Sequence, residues 1–74
     1  MEEFIVKFAE IFDDIDVSAL SADTEFRGLD DWDSIAGLSV IAMADEEYGV
    51  TLNADDMRGS RTIGDIFKAI ESKR

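Results

Sequence analysis

The sequence predicts an all-α protein: a small bundle of three main helices plus one short helix, with a long first loop. Three observations carry that expectation. Apolar residues recur at helical spacing in three separate segments. The chain has no proline and five glycines, which suits helices joined by short turns. Its most strand-like stretch, Val50-Thr51-Leu52, is too short for a sheet and reads as an extended link. Seventy-four residues make one domain, 1–74, with a thin core, because small domains bury a modest share of their surface.

In chain order, the first helix is amphipathic. Phe4, Phe8, Ile11, Phe12 and Ile15 follow the i, i+4, i+7, i+8 pattern, while Glu2, Glu3, Lys7, Glu10, Asp13 and Asp14 take the other face. It is expected to stop near Asp16, where the apolar period breaks. Residues 16–33 then form a long ordered loop, which needs anchors; Val17, Leu20, Phe26, Leu29 and Trp32 supply them. The second helix begins at Asp33–Ser34, runs to Tyr48 and stops at Gly49. Two stripes separate on it. Gly37, Val40, Ile41, Ala44 and Tyr48 are assigned to the core, and Ile35, Leu38 and Ala42 form an adjoining stripe. A helix apolar on two sides is central to a bundle or partly reserved for a partner. Asn53 caps a short helix over 54–58 that ends at Gly59. In the last helix Thr62 is the N-cap, Asp65 imitates a capping box, and Ile63, Ile66, Phe67 and Ile70 give the apolar face.

Charge narrows the function classes. The net charge is −11, which argues against nucleic acid and anionic membrane as partners and for basic protein surfaces, met quickly and with salt sensitivity. Residues 1–33 hold eleven acids and two bases, residues 34–57 five acids and no base, residues 58–74 two acids and five bases. The negative field therefore covers the first three quarters of the chain, and a basic tail closes it. Cysteine and histidine are absent, removing disulfides, thiolate nucleophiles, Ser-His catalysis and the usual zinc ligands. Asp14, Asp16, Ser18 and Glu25 fall at calcium-loop positions, but the glycine such a loop requires is Ala19, so no metal site is expected. Residues 1–20 show no basic leader ahead of an apolar stretch, and the longest largely apolar run, 35–44, is too short to span a bilayer. A soluble, cytoplasmic monomer without membrane insertion is the expectation.

Few side chains can carry chemistry. The best candidate is Ser34 in Asp31-Trp32-Asp33-Ser34-Ile35, where a polar loop gives way to an apolar helix. Its hydroxyl is expected at a helix N-terminus, where backbone N–H groups and the dipole favour an attached phosphodiester. By local pattern alone, the simpler reading is stronger: Asp33 or Ser34 merely caps the helix.

The wider sequence resembles the acyl carrier protein family over nearly its whole length. The family's Asp-Ser-Leu attachment motif is similar to Asp33-Ser34-Ile35. Asp45-Glu46-Glu47-Tyr48, the link Val50-Thr51-Leu52, Asp55-Asp56 and Thr62-Ile63-Gly64-Asp65 follow in the family's order, and Phe26 matches the phenylalanine anchoring its first loop. The resemblance implies 4′-phosphopantetheine from coenzyme A on Ser34, placed by a phosphopantetheinyl transferase, with Asp33 part of the cofactor-binding motif. It implies acyl thioesters on the arm's thiol, delivered to fatty-acid, polyketide or other specialised enzymes, and no catalytic residue in the chain itself. The second helix is then the docking surface: Trp32, Ile35, Leu38 and Ala42 as apolar contacts, and Asp31, Asp33, Asp45, Glu46 and Glu47 facing basic patches on acyl-loading and acyl-transfer enzymes. Phe8, Phe12, Val40, Ala44, Ile63 and Phe67 would line the space that shelters an acyl chain.

Two departures point to a pathway-specific carrier. Fatty-acid carriers usually hold acids two and five residues after the serine; here stand Ala36 and Ser39. Trp32 before Asp-Ser also looks like specialised carriers, although a plain core anchor explains it equally well. The competing readings are an acidic helical interaction module without a prosthetic group and a peptidyl or aminoacyl carrier.

Overall fold

A computed structural model describes residues 2–12 and 15–74. Four α-helices run in the order α1 (Glu2–Ala9), α2 (Ser34–Tyr48), α3 (Ala54–Arg58) and α4 (Ile63–Lys73). Among the described residues there is no strand. The all-α expectation holds.

Helix α1 forms because its apolar residues stack on one face and its acids lie at the start, where the dipole favours them. Phe4 and Phe8 are fully buried. Lys7 reaches Glu3 one turn back and Glu47 on α2, at 3.6 and 3.4 Å, and its bond to Glu47 raises the ammonium pKa. The helix ends at Ala9, well before Asp16. Past that point the Ile11 and Phe12 N–H groups donate three residues back, to Phe8 and Ala9 carbonyls, at 3.2 and 3.1 Å. The turn tightens, yet Ile11, Phe12 and Ile15 still pack against the core. Continued apolar period therefore overstated the helix: its residues are partly buried by a bent chain. Asp13, Asp14 and the calcium-loop reading that starts at Asp14 lie outside the described residues.

The long loop is ordered by two 3-10 turns, Val17–Ala19 and Phe26–Gly28, which the sequence did not signal. Leu20 and Phe26 are buried, and Leu29 and Trp32 pack partly against the core. Val17 is not an anchor: it is 42% exposed, because the Asp16 carboxylate fixes this turn by accepting from the Ser18 N–H at 3.0 Å. The loop is also tied by backbone and cation. Ile63 and Gly64 donate to the Thr24 and Ala22 carbonyls at 3.0 and 2.9 Å, and the Arg27 guanidinium donates to the Ser60 and Met57 carbonyls at 2.6 and 2.5 Å.

Helix α2 starts and stops where the sequence places it. Gly49 takes the left-handed conformation (φ 65°) that favours glycine, and its N–H donates to the last-turn carbonyls of Ala44 and Asp45. The core stripe differs by a small rotation. Ala36, Val40, Met43 and Ala44 are buried, while Gly37, Ile41 and Tyr48 lie at the edge. Helices α3 and α4 carry reciprocal capping boxes, Asn53–Asp56 and Thr62–Asp65. Asp56 additionally pairs with Lys73 at 2.6 Å, and Lys73 also donates to the Thr51 carbonyl, so the end of α4 clasps α3 and the 50–52 link.

Candidate attachment site

Ser34 is the first residue of α2 and is exposed. Asp33 is the N-cap: its Oδ1 accepts the Ala36 N–H at 2.8 Å, and its backbone carbonyl accepts the Gly37 N–H at 3.1 Å. The cap is thus Asp33, which leaves the Ser34 hydroxyl out of the capping bond. The Ser34 and Ile35 N–H groups belong to the first turn and have no partner within the helix, so they and the positive end of a 15-residue helix face the same region. A phosphate ester on Ser34 would meet donors there. The residues present fit such a group.

The segment leading into Ser34 is held by aromatic packing. Trp32 stacks on Phe8 at 6.2 Å with planes 7° apart, meets Phe26 edge-on at 4.7 Å, and touches Phe12 at 6.3 Å. A Cβ at Gly37 would lie 3.7 Å from the indole, an ordinary van der Waals contact, so the ring packs over this part of α2. Trp32 is partly buried in this cluster, and it fixes the position of Asp33-Ser34 relative to the core.

The other site residues fall on two exposed zones. Ile35 and Leu38 are 71% and 66% exposed, and Ala42 is exposed on the same helix. Asp31 lies exposed before the helix, and Asp45, Glu46 and Glu47 lie exposed in its last turn. Glu47 is partly engaged by Lys7. An apolar strip flanked by carboxylates is a surface suited to a basic partner with an apolar centre.

Sequence reasoning missed a groove of about 250 Å³ beside Ser34. Ile11 and Phe12, from the tight turn after α1, line it together with Asp31, Asp33, Ile35, Ala36 and Ser39. The helical reading of 10–15 gave no sign of it: Ile11 and Phe12 line it from the tight turn after Ala9. Of the residues expected to enclose an acyl chain, Phe8, Val40, Ala44 and Ile63 are fully buried within the packed core. Phe12 lines this groove, and Phe67 lines a separate cavity of about 580 Å³ between residues 22–25 and the start of α4.

A model of the family described as phosphopantetheine attachment site matches residues 3–70. The chain belongs to that family. Among curated relatives of this phosphopantetheine-site chain, the meromycolate extension acyl carrier protein of Mycobacterium tuberculosis is 30% identical over 73 residues, covering 95% of this chain and 64% of the relative. The acyl carrier protein of Rhodococcus erythropolis is 30% identical over 73 residues, 95% of this chain and 80% of its own. That of Tropheryma whipplei is 33% identical over 72 residues, covering 93% and 88%. The chain thus spans slightly under two thirds of the length of the relatives from the genus Mycobacterium that it matches. Among the described residues, no helix is long and apolar enough to cross a membrane, and no group of acids forms a metal-ligand cluster.

Proposed function

We propose that the chain is an acyl carrier: Ser34 bears 4′-phosphopantetheine, and the protein hands acyl intermediates between enzymes without catalysing their chemistry. The observation that carries this reading is an exposed serine hydroxyl on the first residue of α2, with its neighbour Asp33 holding the cap, in a chain that matches the phosphopantetheine family over residues 3–70. When bound, the arm supplies the thiol that a chain without cysteine lacks. The protein's own groups do the rest. Ser34 Oγ forms the new phosphodiester bond as its proton leaves and the nucleotide portion of coenzyme A departs. The Ser34 and Ile35 N–H groups and the helix dipole stabilise the attached anion.

Docking follows from charge and exposure. Ile35, Leu38 and Ala42 form the apolar contact, and Asp31, Asp33, Asp45, Glu46 and Glu47 attract basic patches on the phosphopantetheinyl transferase and on acyl-loading and acyl-transfer enzymes. Trp32 contributes by holding the start of α2 in register. Ala36 and Ser39 remove acids that fatty-acid carriers usually present, which favours a specialised pathway; the relatives named for meromycolate extension fit that reading. A monomeric cytoplasmic carrier, with 1–74 as its carrier domain, completes the proposal.

The test is incubation with coenzyme A and a promiscuous transferase, followed by intact-mass measurement. One phosphopantetheine addition, lost in Ser34→Ala, supports the carrier. An unmodified protein leaves an acidic interaction module instead.

A further inference from the structure

The groove beside Ser34 has a composition suited to one occupant. Its floor and rim combine apolar side chains (Ile11, Phe12, Ile35) with two carboxylates, Asp31 and Asp33, and one hydroxyl, Ser39. Asp31 and Asp33 form no ion pair among the described residues, and both are exposed. Ligand pockets for drug-sized molecules run from about 300 Å³ upward; at about 250 Å³ this one holds a segment of a long ligand, not an arm together with a long acyl chain.

We propose that this groove seats the amide-bearing stretch of the arm attached to Ser34, a role that rests on the attachment reading above. Two of its lining residues, Asp33 and Ile35, flank Ser34 in sequence, so a group tethered at Ser34 enters the groove at high effective concentration. Charge sorts the ends. The phosphate is repelled by Asp31 and Asp33 and held by the first-turn N–H groups, while the neutral amide N–H groups further along donate to those carboxylates. Ile11, Phe12 and Ile35 cover the intervening methylenes. Ala36 and Ser39 are permissive here. Ala36 is 5% exposed and Ser39 is partly buried, so a long acidic side chain at either position would fill the groove and add charge to a site that already holds two carboxylates. The two small residues that distinguish this docking helix thus sit where they keep the groove open.

The test compares apo and loaded protein by heteronuclear NMR, with the arm installed from isotopically labelled coenzyme A and loading verified by intact mass. The expected result is contacts between arm protons and the Ile11 and Phe12 side chains, with amide shifts at residues 11, 12, 36 and 39. Ser39→Phe, and independently Ile11→Ala, retain loading but lose or weaken the contacts to Phe12. A loaded protein whose shifts are confined to residues 33–35, with no contact to Ile11 or Phe12, overturns the groove and leaves the attachment reading intact. A protein that never gains the arm overturns both.

Discussion

Replacing Gly64 by alanine tests the join between the long loop and α4. Alanine is the better helix former, by up to about 1 kcal/mol, and propensity alone makes Gly64→Ala stabilising. Tertiary structure reverses that sign. A Cβ on Gly64 would sit 3.0 Å from the Ala22 carbonyl oxygen and 3.3 Å from the Ala22 Cβ. The obstacle is backbone, and that same oxygen accepts the Gly64 N–H at 2.9 Å, next to the Ile63–Thr24 bond at 3.0 Å. Relief requires moving residues 22–24 away from α4 and stretching both bonds. Overpacking of this kind costs about 1–3 kcal/mol, so with a mid-range cost of about 2 kcal/mol and the full propensity gain the net expectation is a loss of about 1 kcal/mol, and up to about 2 kcal/mol at the upper end. For a chain of this size the thermal midpoint falls by roughly 5–15 °C. Gly28→Ala is the control: it meets nothing within 4 Å and has no left-handed φ, so the same chemical change is expected to be neutral or stabilising by up to about 1 kcal/mol. Urea and thermal unfolding of both variants decide the matter. Equal stabilities for the two variants, or a Gly64→Ala protein more stable than the parent, would refute the reasoning.

Arg27→Met removes two charge-assisted bonds to the Ser60 and Met57 carbonyls; about 2–3 kcal/mol of stability is expected to be lost in urea titration, with faster proteolysis near residues 57–61. Asp56 is held below its ordinary value of 3.8, first by its bond from Lys73 and then by the Asn53 N–H. A depressed carboxyl stabilises the fold above its unfolded pKa and loses that contribution as pH falls through the folded value. The stability difference between the parent and Asp56→Asn is therefore full at neutral pH and disappears below the carboxylate range; a difference unchanged at pH 2 would contradict the pairing. Ile35→Asp and Leu38→Asp alter exposed side chains, so unfolding free energies should stay within about 0.5 kcal/mol of the parent. Their transfer rates with acyl-handling enzymes should fall, chiefly through loss of the apolar contact, while the salt sensitivity of the remaining charge attraction persists.

Much of this molecule was readable from local chemistry. The stop at Gly49 follows from the left-handed backbone that glycine accepts, and the caps at Asn53 and Thr62 from side chains within three residues of the N–H groups they satisfy, so sequence alone placed the end of α2 and the starts of α3 and α4, while it left both Asp33 and Ser34 open as the cap of α2. Ser34 stood out as a serine where a polar loop gives way to an apolar helix, but its attachment role came from the family resemblance. The charge asymmetry and the missing cysteine are likewise properties of the chain. What sequence could not decide depends on residues far apart. After α1 ends at Ala9, a bend packs Ile11, Phe12 and Ile15 partly against the core without helical geometry, and periodicity does not distinguish a core-facing helix face from a core-facing turn. The exposure of Val17, the close approach of Gly64 to Ala22, and the Arg27 contacts to carbonyls 30 and 33 residues away are products of packing. The groove beside Ser34 belongs to that second class: its serine-side residues lie between 31 and 39, but Ile11 and Phe12 join them from more than 18 residues away through tertiary packing.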